Sequence, residues 1–231
     1  GLSYFLIDVV VNMQWLDGRT HTALLQGNEN EVTIPESSNL WSVVKTYWII
    51  GVEHILLGPD HLLFVLALLL LCQRISTLLA AITAFTLSHS ITLALASLGY
   101  VNLPGAPVEA IIALSIVLLA LEIIKYKQGE IHFTARYPWV VAFVFGLLHG
   151  LGFAGALADI GLPQDAIPEA LLFFNIGVES GQIFFVVIFL ALRKVWTKIQ
   201  FPQHFFHQNI IPYLIGSVAS YWLIDRVLAF F

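Results

Sequence analysis

The chain has 231 residues, 58% of them hydrophobic and only 11% charged, with a formal net charge of −5. Soluble domains carry about 25% charged residues, so a water-soluble globule is excluded, and the acidic balance without a basic tract excludes a nucleic-acid binder. Cys72 is the single cysteine, which leaves no intrachain disulfide and no thiolate cluster.

Residues 1–40 differ in kind from the rest. Phe5–Trp15 is rich in Val, Ile and aromatic residues, Asp17-Gly18 is a turn signal, and Thr20–Gln26 can return as a second strand. Glu31–Ile34 adds a third short strand before Pro35. A lone hairpin is marginal in water. The segment therefore reads as a short, extracytoplasmic, β-hairpin-like region, either the remnant of a larger domain or a cap on a membrane part.

Residues 41–231 read as one all-α transmembrane domain. Apolar blocks run Trp41–Cys72, Ser76–Leu98, Ala106–Ile124, Pro138–Ala158, Pro168–Val195 and Ile210–Phe230. Hydrocarbon admits only helices or closed barrels, and unbroken apolar blocks lack a barrel's alternation. At about 1.5 Å per residue the first block is too long for one straight span and too short for two. Gly58-Pro59 is where it can break, since proline lacks a helical donor and clashes one turn back. Arg74, then Lys125, Lys127 and Arg136, then Arg193, Lys194 and Lys198 occupy alternate connections, while Gly99–Gly105 and Asp159–Pro168 contain no Lys or Arg. With basic loops inside, the expectation is about six spans and both termini outside.

Gly51–Phe64 carries Glu53, His54, Asp60 and His61 into the first apolar block. Ionisable groups in hydrocarbon are costly and mark ion paths, proton relays or ligand sites. Counting along the spans puts His61 and His149 roughly 16 Å, and His89 about 20 Å, above their inner ends. Glu179 and Asn175 fall about 10 to 16 Å below the outer end of theirs. In a core about 30 Å thick, all lie near the middle. Three histidines and a carboxylate at one depth form a candidate first shell for a metal; imidazole suits nickel, cobalt, zinc and copper. On a straight helix His54 and His61 would face the same way about 10 Å apart, which makes His54 with Glu53 an outer relay. A break at Gly58-Pro59 would instead bring them closer, with Asp60 orienting a histidine. Hydroxyls including Ser88 surround His89, and glycines around His149 and Glu179 allow close helix packing. Glu109, Asp225 and Arg226 read as solvated groups near helix ends, and His204 and His207 as a solvated cytoplasmic pair.

These residues resemble the HupE/UreJ family of bacterial membrane proteins, and more closely its second branch, which carries an extracytoplasmic N-terminal region. The resemblance rests on HILLGPDH (His54 to His61), TAFTLSHSITLALA around His89, VEAIIALSIVLLALE over Val108–Glu122, FGLLHGLGFAGAL around His149 and FNIGVESGQ over Phe174–Gln182. The family is similar to nickel/cobalt permeases. It implies a multi-pass protein of the bacterial inner membrane, with His54, Asp60, His61 and His149 in metal recognition. The sequence departs from the permease pattern at Ala154, where those proteins carry a glutamate; the expectation is that Glu179 takes the place of that carboxylate in space.

The combined expectation is a transporter for a divalent transition metal (nickel, cobalt, zinc or copper). His54, Asp60, His61, His89, His149 and Glu179 would be its ligands, and Glu53, Asn175 and Ser88 accessory groups. Its partners would be the bilayer, the ion, and an extracytoplasmic protein or a second copy. No nucleotide-binding G-x-x-x-x-G-K-[ST] is present, and an enzyme is the less favoured class. The rivals are an intramembrane zinc hydrolase and a metal-free scaffold or sensor.

Overall fold

A computed structural model describes residues 9–14, 20–25, 40–130, 133–160, 162–163, 166–198 and 210–230. Strands β1 (Val9–Gln14) and β2 (Thr20–Leu25) pair antiparallel, with Val9 opposite Leu25 and Gln14 opposite Thr20. The Asp17-Gly18 turn and the third strand expected at Glu31–Ile34 lie outside the described residues.

The remainder is helical: α1 (Leu40–Leu57), α2 (Pro59–Leu71), α3 (Ile75–Ser97), α4 (Gly105–Lys127), α5 (Phe133–Arg136), α6 (Pro138–Ile160), α7 (Ile167–Lys198) and α8 (Ile210–Leu228). Among the described residues four helices, Leu40–Leu57, Ile75–Ser97, Gly105–Lys127 and Ile167–Val195, are long and apolar enough to cross a membrane, and Pro59–Leu71 and Pro138–Phe153 are shorter apolar helices. The chain is a helical membrane protein. Leu79, Leu87, Leu118, Leu172, Val187 and Leu214 lie exposed on its outer faces, an apolar surface that lipid would cover.

Inside, α3 packs along α6, α1 along α7 and α4 along α8, while α2 lies mainly against α4. One core cluster gathers Phe64, Leu68, Leu78, Ile82, Phe85, Ile116 and Leu119. A second gathers Tyr47, Ile55, Leu93, Phe174 and Val178, with Val10 of β1 packed against it.

Glycines set the distance between the paired helices. A Cβ on Gly146 would strike the Ser88 hydroxyl and the Phe85 carbonyl of α3, and one on Gly150 the Thr92 hydroxyl and the His89 carbonyl. On the other seam, a Cβ on Gly51 would strike the Phe174 carbonyl, and one on Gly177 the Trp48 carbonyl. In lipid, where no hydrophobic effect drives helices together, this backbone approach supplies the packing. Gly146→Ala is expected to destabilise the protein by about 1–3 kcal/mol, the range for overpacking a tight contact. Gly105→Ala is the control, because the nearest atom to its Cβ would be Glu109 Oε1 at 3.8 Å. Thermal unfolding in detergent checks the pair.

Candidate metal centre

The centre begins at the break. Pro59 has no N–H and Gly58 takes extended backbone (φ −86°, ψ 98°), so α1 stops at Leu57 and α2 restarts at Pro59. Single turns persist across the joint: the Gly58 N–H donates to His54 O and the Leu62 N–H to Gly58 O, each at 3.1 Å. Asp60 sits in the first turn of α2, where a carboxylate is favoured by the helix dipole. Its Oδ1 accepts the His61 backbone N–H at 2.9 Å and lies 3.0 Å from His61 Nδ1. One oxygen thus takes up a backbone N–H of the first helical turn and orients the neighbouring imidazole, turning His61 Nε2 the other way.

The break also decides the position of His54. A straight helix would hold the two rings about 10 Å apart; in the structure the His54 and His61 centroids are 4.5 Å apart. The outer-relay placement of His54 therefore gives way to direct contact.

His89 enters from α3 and is completely buried. The Asn175 amide nitrogen donates to the Leu171 carbonyl at 2.7 Å, which fixes the orientation of the amide. Asn175 Oδ1 then faces His89 Nδ1 at 3.2 Å. Because a carbonyl oxygen only accepts, Nδ1 carries the proton and His89 Nε2 keeps its lone pair. His149 arrives from α6, its ring centroid 4.9 Å from that of His61.

Phenyl rings surround the imidazoles. His54 lies 3.9 Å from Phe153 and 5.5 Å from Phe174, and His149 lies 5.4 Å from Phe64 and 5.1 Å from Phe85, centroid to centroid. His89 stacks on both Phe85 and Phe174. Within this apolar shell the Nε2 atoms of His54, His61 and His89, and both ring nitrogens of His149, are buried without a hydrogen-bond partner. Buried polar atoms are nearly always paired, and each exception calls for an explanation. Among the described residues two sets of donors converge: His54, His61 and His89, and Asp60, His61 and His149, the atoms of each set within 4.8 Å of one another. A tetrahedral site with bonds of about 2.1 Å needs donors roughly 3.4 Å apart. Closing on one ion thus takes side-chain movements on the order of an ångström.

The other predicted site residues lie elsewhere. Glu179 belongs to neither set; its Oε1 accepts the Thr83 hydroxyl at 2.6 Å. Glu53 is partly buried on α1 and outside both sets. The Ser88 hydroxyl donates to the Phe85 carbonyl at 2.9 Å and that of Ser90 to the Thr86 carbonyl at 2.6 Å, so both are turned into their own helix. His132, His204 and His207 lie outside the described residues. Sequence reasoning missed the phenyl shell. Its signal is that Phe85 and Phe153 each stand four residues from a histidine, His89 and His149, and so share a helix face with it.

Beside the cluster lies a cavity of about 310 Å³, lined by His54, Asp60, His61 and His149 and, farther along, by Glu109 and Arg226. Long apolar helices enclosing buried ring nitrogens without hydrogen-bond partners, beside an oriented carboxylate, define a polytopic membrane protein with an internal set of metal-ligand groups. More particularly, the chain belongs to the HupE/UreJ family: the HupE / UreJ protein family matches residues 28–226, which take in every helix of the bundle from α1 to α7 and nearly all of α8, and leave β1 and β2 outside. No curated protein and no solved structure matches the chain.

Proposed function

We propose that this protein carries a divalent transition-metal ion across the bacterial inner membrane, with nickel, cobalt, zinc and copper as the candidate substrates. The observation that carries the reading is the set of partnerless ring nitrogens buried at one place in the bundle. Imidazole nitrogen suits those four metals, and the similarity of the family to nickel/cobalt permeases points the same way. In this reading His61 is the common ligand, His54 and His89 complete one donor set, and Asp60 and His149 the other. Two overlapping sets sharing one histidine give an ion two adjacent positions, and movement between them is a step of transport.

The topology proposed with it has six spans and both termini outside, α1 and α2 forming one broken crossing. The hydrogen bonds that continue through Gly58 support a kink there over a reversal. Below the cluster, Thr86 donates to Gln182 at 3.2 Å and Thr83 to Glu179 at 2.6 Å along the α3–α7 contact. That polar seam is the proposed inward route, and gives Glu179 a role below the ligand sets. The strands before α1 are the proposed extracytoplasmic part.

The test is uptake of each of the four metals by proteoliposomes carrying an internal metal-sensitive dye. Flux of at least one, lost in His61→Ala, is expected; no flux for any would remove the transport reading. Binding should weaken as pH falls, since protons and metal compete for the same imidazole lone pairs. Asn175→Leu removes the acceptor that holds His89 in its tautomer and is expected to lower metal affinity about 10–100-fold. Titration calorimetry in detergent at two pH values measures both effects.

A further inference from the structure

Among the residues lining the cavity, two partly exposed ones form an ion pair that the metal-ligand groups do not use. Glu109 stands near the start of α4, and Arg226 in the last turn of α8. Arg226 Nε lies 2.6 Å from Glu109 Oε2, and both side chains line the same cavity as His54, Asp60, His61 and His149. Arg226 has a second carboxylate within reach: its Nη1 is 3.4 Å from Asp225 Oδ2. Asp225 is not among the cavity-lining residues. The guanidinium therefore has one acceptor that lines the cavity and one that does not.

A cation approaching the histidines along this cavity meets a fixed positive charge, because arginine does not deprotonate in proteins. It also meets a carboxylate already engaged. Glu109 and Arg226 are 45% and 46% exposed, and ion pairs so exposed are weak, so the pair opens readily. When Arg226 leaves Glu109 it retains a counter-charge in Asp225.

We propose that Glu109 and Arg226 form a charge-exchange gate: an incoming cation takes the place of Arg226 on Glu109 while the guanidinium moves over to Asp225. The proposal rests on the reading of this cavity as the route of the metal. It assigns Arg226 a positioning role, admitting cations only by exchange.

Two measurements test it on the full-length protein. In the first, Ala113, which lines the cavity, is replaced by cysteine in a Cys72→Ala background, and its reaction with a trimethylammonium methanethiosulfonate is timed. Arg226→Gln should speed that reaction on the order of tenfold, the scale on which a local charge changes encounter rates, and should change reaction with a neutral methanethiosulfonate far less. Asp225→Asn, which removes the retreat of the guanidinium, should slow it several-fold. Equal rates in the Arg226→Gln and Arg226 proteins, or an unchanged rate in Asp225→Asn, would overturn the gate. In the second, stopped-flow binding of zinc or nickel alone should be faster in Arg226→Gln at unchanged final stoichiometry; unaltered kinetics would overturn it. The labelling needs no metal, so a wild-type protein that binds none would sink the transport reading while labelling still decided the gate.

Discussion

His61→Ala is expected to cost more metal affinity than any other single histidine replacement, more than about 100-fold and so beyond the 10–100-fold typical of losing an outer partner. The reason is positional. His61 belongs to both donor sets, whereas His54 and His89 belong to one and His149 to the other. Removing His89 leaves Asp60, His61 and His149 in place; removing His61 leaves two donors in each set. Since His61 is 5% exposed and its Nδ1 is held by Asp60, the variant also leaves a small cavity, and thermal unfolding must accompany the binding measurement. Calorimetric titration of His61→Ala, His89→Ala and His149→Ala ranks the three. A His61→Ala protein that binds no more weakly than His89→Ala would show that the two sets do not share a ligand.

The second large effect is expected at a residue with no donor atom. Gly58 joins α1 to α2, and its φ of −86° and ψ of 98° are open to any L residue. Backbone strain is therefore not what makes glycine necessary there. A Cβ would stand 2.7 Å from His54 O, 2.8 Å from His61 Nδ1 and 3.1 Å from Asp60 Oδ1. Gly58→Ala must push His61 off Asp60, the contact that aims its Nε2 at the other imidazoles. An affinity loss of about 10–100-fold is expected, with about 1–3 kcal/mol of destabilisation. Pro59→Ala attacks the same joint differently. It restores the missing backbone donor and permits a straight helix, in which His54 and His61 separate toward about 10 Å. Both variants should keep their helical content by circular dichroism while losing metal affinity. Wild-type affinity in both would mean that the break does not position the ligands.

These two residues also show where the sequence was legible. Apolar length and the proline made the helices and the break visible. Counting residues from the span ends placed His61, His89 and His149 at one depth, and the folded chain holds the His89 and His149 ring centroids 6.3 Å and 4.9 Å from that of His61. Depth fixes height in a bundle but not direction around a helix axis. Glu179 was counted to a similar height, yet its carboxylate faces Thr83 on the α3–α7 seam. His54 illustrates the complementary gap: its place depends on the angle of one joint, which no count along a straight helix supplies. The Glu109–Arg226 pair joins the ends of α4 and α8. It follows from which helices lie side by side, a property of the packed bundle that neither local sequence carries. The glycine seams fall between these cases, since four-residue spacing at Gly146 and Gly150 signals a close contact without naming the partner helix.

If the buried ring nitrogens without hydrogen-bond partners are the ligands of a metal ion, they must appear in its coordination shell. X-ray absorption at the metal edge, on purified protein loaded with one equivalent of zinc or nickel, examines those ligands themselves. A shell of nitrogen and oxygen donors at about 2.0–2.2 Å is expected, with the outer-shell scattering of two or more imidazole rings, and a reduced imidazole contribution in His61→Ala. A shell of oxygen alone, or a spectrum identical in wild type and His61→Ala, would contradict this ligation.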